Sequence, residues 1–176
     1  AYLYCGLSRA SSKEEIEERI KNNTITEILN KIEVKKGDVV MVKAGTIHAI
    51  GAGIFICEIQ QNSNCTYRMY DYDRRDKLGN PRELHIAKSL DVVNPVKYEK
   101  DNKCNVMLAH NEHYMSKRLV QCKYFEVIKY EIEDEAKIPV DEASFLSVIV
   151  IDGEGTIMTD DNDKELKFKA GVSFFI

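Results

Sequence analysis

The sequence has no long apolar run and no cluster of basic residues, and each absence excludes a class of protein. The longest apolar stretches, such as residues 148–151 and 53–57, are only a few residues long. A bilayer requires roughly 20 apolar residues, so no membrane span is predicted. The 25 Lys and Arg are outnumbered by 29 Asp and Glu, which gives a net charge of -4. Nucleic acids are bound through clustered Lys and Arg, so a DNA or RNA partner is not expected.

The sequence also lacks paired cysteines and a secretion signal. Its N-terminus has no charged segment followed by an apolar one, as a secretory signal peptide would have. The cysteines are odd in number and none belongs to a C-x-x-C pair, which favours neither a disulfide framework nor a cysteine zinc site. We therefore expect a cytoplasmic protein with reduced thiols at Cys5, Cys57, Cys65, Cys104 and Cys122.

The two ends of the sequence indicate a piece of a longer protein. Ala1 opens a strand-like alternation, AYLYCGL, instead of a start methionine. The other end falls on Phe175 and Ile176, shortly after the turn residue Gly171. We therefore expect this chain to be part of a larger polypeptide.

Two capping boxes predict two short helices near the N-terminus. Ser12 stands three residues before Glu15, a pairing that satisfies the first free amides of a helix, and it predicts a helix over residues 12–21. Thr24 and Glu27 repeat this pattern. The second box is followed by apolar residues at helical spacing, namely Ile25, Ile28, Leu29 and Ile32.

Most of the remaining chain is predicted to form short strands separated by turns. The expected strands cover residues 39–42, 54–60, 66–72, 124–132, 145–151, 155–158 and 166–169. One turn of helix is expected over residues 85–90, and Asn94 before Pro95 marks a boundary. Many short strands and few helices favour antiparallel β architecture of the sandwich, barrel or jelly-roll kind.

His48 is the only one of the four histidines in a context that suggests a built site. A turn at Gly45 permits backbone geometry that would aim the imidazole into the mouth of a small barrel, where a metal ligand would lie. A half-buried, hydrogen-bonded imidazole is the more frequent role of a lone histidine, so this alternative stays open. The remaining three, His85, His110 and His113, are expected at the surface or in loops.

Residues 37–48 resemble a known motif. Gly37, five residues, and then Lys43, Ala44, Gly45, Thr46, Ile47 and His48 resemble the second cupin motif, G-(x5)-P-x-G-x-x-H, with Lys43 at the proline position. Residues 58–74 and 79–85 resemble the bacterial branch of type I mannose-6-phosphate isomerases, although Asn64 replaces the acid of the family's S-D-x-x-x-R pattern. The resemblance is specific over residues 36–95 and weaker on both sides.

The resemblance implies a mainly β fold, a cupin jelly roll (double-stranded β-helix) with a short helical insertion. Residues 1–95 would complete the catalytic barrel. Residues 96–176 would form a second, smaller, metal-free cupin-like β domain that is truncated at its C-terminus. Open strand edges in such an incomplete barrel would allow a dimer.

The resemblance also implies a zinc-dependent isomerase that interconverts mannose 6-phosphate and fructose 6-phosphate through an enediol. His48 matches a zinc ligand of the family, with the other ligands expected before Ala1. Arg68 matches the active-site arginine, whose guanidinium can stabilise an enediolate. Glu58 matches a pocket glutamate that could move the proton between C1 and C2, in competition with zinc-bound water. Lys43 could contact substrate or cap a strand.

Other interpretations of the same residues stay open. A non-catalytic, sugar-binding or regulatory cupin is the alternative function, because no set of upstream ligands is present in this sequence. The position of Glu58 in a predicted apolar strand argues against its full exposure. The basic residues of 68–88 alternate with acids, which favours a solvated, mutually paired face over a phosphate site. Residues 160–165 are expected to form a solvated hairpin and not a calcium loop.

Overall fold

A computed structural model describes residues 1–63, 65–100, 105–158 and 165–176. Asn64 and most of the acidic segment predicted as a hairpin lie outside these ranges. The chain forms two compact units, one of residues 1–111 with 115–131 and one of residues 112–114 with 132–176. The domain boundary near residue 95 stays a prediction.

The first sheet has three strands in the order β2-β1-β3. The central strand β1, Tyr2–Leu7, pairs antiparallel with β2, Leu29–Glu33, and with β3, His48–Ile50. Cys5 of β1 lies directly opposite His48 of β3. Pairing with β1 therefore fixes the backbone of His48, the candidate metal ligand, at the first residue of β3.

The helix predicted from the first capping box is confirmed as α1, Lys13–Lys21. The Ser12 side chain accepts a hydrogen bond from the Glu15 N–H at 3.1 Å, as the capping box requires. Ile16 and Ile20 lie four residues apart on the same face and are both buried. Capping thus starts the helix, and burial of this face holds it against the sheet.

The prediction of a second helix after Thr24 is largely wrong. Residues Ile25–Ile28 form a single turn of 3-10 helix, and Thr24 makes no side-chain capping hydrogen bond. The chain then enters β2 at Leu29, where Leu29 pairs with Leu7 and Ile32 pairs with Leu3. Hydrogen bonding to β1 therefore replaces the helical continuation that the local pattern favoured.

The two capping boxes give a matched pair of stability variants. Replacing Ser12 with alanine removes an observed capping bond, and we expect it to lower the free energy of unfolding by about 1 kcal/mol. Replacing Thr24 with alanine removes no such bond, so we expect a smaller loss. Urea denaturation of both variants measures this difference, and equal losses would contradict the assigned cap.

Several strands predicted in the first unit are absent. Residues 39–42, 54–60 and 66–72 have no regular secondary structure, although the short helix predicted after them is present as α2, Ile86–Val92. An extended segment becomes a strand only when a neighbouring strand takes up its backbone hydrogen bonds. The described residues provide no such neighbour for these three segments.

The strands predicted over residues 124–132, 145–151, 155–158 and 166–169 are confirmed with altered bounds. The structure adds three strands that the sequence did not predict, over residues 106–110, 114–121 and 173–175. Three neighbouring strands lie in the order β4-β5-β6, and two antiparallel pairs follow, β7 with β10 and β8 with β9. Their bounds are Val106–His110, Tyr114–Gln121, Glu126–Ile132, Ser147–Ile149, Glu154–Met158, Glu165–Lys169 and Ser173–Phe175. The predicted mainly β class is therefore confirmed.

One apolar core joins the first sheet to both helices. Its buried members are Leu7, Ile16, Ile20, Ile25, Ile28, Leu29 and Val93. Each such aliphatic side chain stabilises the fold by about 1.5–3 kcal/mol when fully buried. Since Val93 directly follows α2, the core fixes the C-terminal end of that helix. Among the described helices, none is long and apolar enough to cross a membrane.

Candidate functional site

His48 is exposed at the start of β3, and one of its ring nitrogens is already engaged. Nδ1 lies 3.0 Å from the carbonyl oxygen of Thr46. A carbonyl oxygen can only accept, so Nδ1 carries the proton and the lone pair is on Nε2 in the neutral ring. This arrangement, in which a carbonyl fixes the tautomer, is common among metal-bound histidines. The imidazole is therefore hydrogen-bonded but not buried, and Nε2 has the chemistry of a ligand.

The turn before His48 is docked against the end of α2. Gly45 has a φ of +78°, and a Cβ at this position would lie 2.7 Å from the carbonyl oxygen of Val92. The Asn94 N–H donates to the Gly45 carbonyl oxygen at 2.9 Å. The expected need for glycine at position 45 is confirmed, because both the conformation and the close approach exclude a side chain.

β1 holds the same segment from its other side. The Gly6 N–H donates to the carbonyl oxygen of Ile47 at 2.7 Å, next to His48. Cys5 faces His48 across the sheet, and burial raises the pKa of its thiol, outweighing a hydrogen bond with Tyr98 that lowers it. A thiol with a raised pKa stays protonated near neutral pH, so Cys5 is suited to packing and not to metal binding.

Arg68 is half-buried and held by the segment just before α2. Its backbone N–H donates to Nδ1 of His85 at 3.2 Å, and the His85 N–H donates to the Arg68 carbonyl oxygen at 2.7 Å. The Arg68 guanidinium donates from Nη1 to the Glu83 carbonyl oxygen at 3.3 Å. The arginine is thus fixed at its backbone and at one guanidinium nitrogen.

Sequence reasoning missed the contact between His85 and Arg68. His85 was expected at the surface or in a loop, but it is the residue that precedes α2 and its side chain is only 27% exposed. Its partner lies 17 residues earlier in the chain. The adjacent predicted helix was the one available signal, and it does not indicate which residue the imidazole meets.

Glu58 and Lys43 are both exposed. Glu58 lies in a segment without regular secondary structure, and its neighbours Cys57 and Ile59 are exposed as well. The argument from an apolar strand against exposure of Glu58 was therefore wrong. Lys43 begins the turn before His48, and its carbonyl oxygen accepts from the Thr46 N–H at 3.0 Å.

The structure connects His48 and Arg68 through α2 and not by direct contact. The N-terminal end of α2 follows His85, which holds Arg68, and the C-terminal end precedes Asn94, which holds the turn of His48. Within the described ranges, no hydrogen bond or ion pair joins His48, Glu58 and Arg68 directly. Both candidate residues are therefore positioned by the two ends of one short helix.

The described residues do not by themselves complete a metal site. A zinc site needs three or four protein ligands, and His48 provides one suitable nitrogen. No group of three or more His, Cys, Asp or Glu that could hold a metal occurs in the part of the chain that the structure describes. The described residues alone therefore do not form a closed zinc centre.

Three arginines that follow Arg68 form ion pairs with acids, as their alternation with acids predicts. Arg74 and Arg82 both reach Oδ1 of Asp71, the latter at 3.5 Å, and Arg75 pairs with Asp73 at 3.1 Å. These guanidinium groups are half or more exposed. Their charges are largely satisfied by these acids, so they do not form a ready anion site.

Comparison with known proteins finds similarity to mannose-6-phosphate isomerases. The family model described as mannose-6-phosphate isomerase, cupin domain, matches residues 115–176. The chain is 39% identical over 150 residues to the mannose-6-phosphate isomerase ManA of Bacillus subtilis (strain 168), covering 85% of this chain and 47% of that protein. It is 40% identical over 148 residues to the mannose-6-phosphate isomerase of Streptococcus mutans serotype c, covering 84% and 46%.

A solved structure gives the same result. The chain matches the crystal structure of the mannose 6-phosphate isomerase from Bacillus subtilis with a TM-score of 0.86 and 36% identity, covering 99% of this chain and 54% of that one. The predicted cupin fold is confirmed by these matches, whereas the second domain stays a prediction. The chain spans about half the length of the relatives it matches.

Proposed function

We propose that the protein carrying this chain interconverts mannose 6-phosphate and fructose 6-phosphate, because most of the chain is similar to mannose-6-phosphate isomerases. The observation that carries the proposal is the match to a solved isomerase over 99% of this chain with a TM-score of 0.86. The local geometry supports it, since His48 and Arg68 are each held by backbone hydrogen bonds in the described structure.

The reaction moves one proton between two neighbouring carbons. A base removes the proton from C2 of the aldose while O1 gains a proton, which gives an enediol, and the proton is then returned to C1 as O2 loses its own. We propose that the Glu58 carboxylate performs the carbon-to-carbon transfer. The guanidinium of Arg68 would stabilise negative charge on the two oxygens. Lys43 would contact the substrate from the turn before His48.

We propose zinc as the metal of the complete site, with His48 as the ligand that this chain contributes through Nε2. The remaining ligands are proposed to come from residues outside this sequence, since the described residues do not supply a closed set. Bound zinc would polarise substrate oxygens. The roles of Glu58 and Arg68 above do not depend on its geometry.

Two further proposals concern the setting of the protein. We propose a cytoplasmic location, which is supported by the free thiols at Cys5, Cys57, Cys65 and Cys122. We also propose that a dimer can form through the outer edges of β2 and β3, because both flank the central strand of the first sheet.

The proposed function is tested on the full-length protein that carries this chain. We expect turnover of mannose 6-phosphate but not of unphosphorylated mannose, and bound zinc in the purified protein. His48→Ala should weaken zinc binding at least about tenfold, whereas His110→Ala, at an exposed histidine of β4, should not change it. A protein that binds sugar phosphate without zinc or turnover would instead support the non-catalytic, sugar-binding cupin.

A further inference from the structure

Arg68 and His85 are joined by two hydrogen bonds that run in opposite directions. The Arg68 N–H donates to the imidazole Nδ1 at 3.2 Å, and the His85 N–H donates to the Arg68 carbonyl oxygen at 2.7 Å. One residue therefore satisfies both backbone groups of Arg68. Since backbone groups that are partly removed from water need partners, this pairing defines where Arg68 lies.

The first of these bonds fixes the state of the His85 ring. A backbone N–H can only donate, so Nδ1 must hold a lone pair and the proton of the neutral ring lies on Nε2. Nε2 lies 4.0 Å from a carboxylate oxygen of Glu83, an exposed residue. The lone pair on Nδ1 is therefore the group of His85 that accepts the hydrogen bond from the Arg68 N–H.

His85 is held in place by its contacts with α2 and with Tyr67. Its carbonyl oxygen accepts the first hydrogen bond of α2, from the Ser89 N–H at 2.8 Å. The ring also lies beside that of Tyr67, with centroids 6.3 Å apart. Ser89 is buried, so the helix start that carries His85 is packed against the rest of the unit.

The guanidinium of Arg68 is directed by the same segment. Nη1 donates to the Glu83 carbonyl oxygen at 3.3 Å, two residues before His85. In the described part of the chain, its other N–H groups have no protein acceptor. A guanidinium has five N–H donors, so most of the planar fork is left for an anionic oxygen of a ligand.

We propose that His85 is a positioning residue for Arg68, acting through Nδ1 to aim the guanidinium at the enediolate oxygens. The proposal rests on the proposed function, in which Arg68 stabilises the charge that develops during proton transfer. That charge is greatest in the transition state, so misplacing Arg68 lowers kcat more than it raises KM.

The position of the acceptor provides the test. In His85→Asn the amide oxygen takes the place of Nδ1, whereas in His85→Gln it takes the place of Nε2 and cannot reach the Arg68 N–H. In the full-length protein we expect kcat of His85→Gln to fall about 5- to 10-fold with little change in KM, and kcat of His85→Asn to stay near that of the unaltered enzyme. Both variants lose the imidazole, so a shared folding defect cannot produce this difference.

A second background separates positioning from an independent role. In a protein that already carries Arg68→Ala, we expect His85→Gln to cause no further loss of kcat, because the group that it positions is absent. The proposal is overturned if His85→Asn falls as far as His85→Gln, or if His85→Gln costs as much without Arg68 as with it.

A direct measurement on this chain keeps the proposal separate from the proposed function. Hydrogen exchange of the Arg68 amide should be slow in the unaltered chain and in His85→Asn, and about 5- to 10-fold faster in His85→Gln. If the full-length protein shows no isomerase activity but this exchange pattern is found, the proposed function fails and the positioning of Arg68 stands. Equal exchange in all three proteins would overturn the positioning itself.

Discussion

Replacing Arg68 with alanine is expected to lower kcat of the proposed isomerase by about 10²–10³-fold. The guanidinium is held by the His85 and Glu83 segment, so its charge is in place before the reaction begins. Removing such a preorganised donor affects the transition state more than the bound substrate, and KM should change less than kcat. The kcat of Arg68→Lys should lie between those of the unaltered enzyme and Arg68→Ala, because an ammonium keeps the charge but not the planar fork.

The matched control for this variant is Arg75→Ala. Arg75 is an exposed arginine of the same segment, and it pairs with Asp73 at 3.1 Å. Its removal should leave kcat unchanged, since surface ion pairs of this kind contribute little and the residue has no proposed contact with substrate. Steady-state kinetics of Arg68→Ala and Arg75→Ala measures kcat for each variant. A comparable loss in Arg75→Ala would show that general positive charge, and not Arg68, carries the effect.

Gly6→Ala is expected to lower the free energy of unfolding by about 3 kcal/mol. The residue has a φ of +69°, which a side-chained residue adopts only with strain, and a Cβ would lie 2.3 Å from the Cβ of Tyr98. The flanking residues Cys5 and Leu7 are fully buried, so the backbone has little room to move. Urea denaturation, followed by circular dichroism, measures the loss.

Gly37→Ala is the control that separates strain from overlap. Gly37 also has a positive φ, of +91°, but no heavy atom lies within 4 Å of the position where its Cβ would be. We expect a loss of about 1 kcal/mol from backbone strain alone. Similar losses in Gly6→Ala and Gly37→Ala would mean that contact with Tyr98 adds nothing.

The parts of the fold that follow from local signals could be predicted. Ser12 caps α1 through a residue three positions away, and residues 124–132, predicted as a strand, contain β6. The strand β2 could not be predicted in this way. Its residues carry a helical pattern, and it becomes a strand only because β1, more than 20 residues earlier, supplies its hydrogen bonds.

The candidate site likewise contains some features that local sequence signals predict and others that they do not. Gly45 and His48 lie within one turn, so their geometry follows from a short motif. The exposure of Glu58 depends on which segments pack over it, and the local pattern contains no information on that point. The bond from Arg68 to His85 spans 17 residues and joins a backbone group to a side chain, so no periodicity reveals it.

The two ends of α2 hold the Arg68 segment and the His48 turn by hydrogen bonds, which makes the length of this helix a constraint on the site. The helix has seven residues, and each residue of an α-helix adds about 1.5 Å of rise and roughly 100° of rotation. An insertion or deletion of one residue would turn Asn94, and with it the Gly45 turn, away from its present orientation relative to His85. Exposed loops in this chain can change in length at little cost, whereas in α2 only changes of sequence that preserve residue count would keep both segments in register.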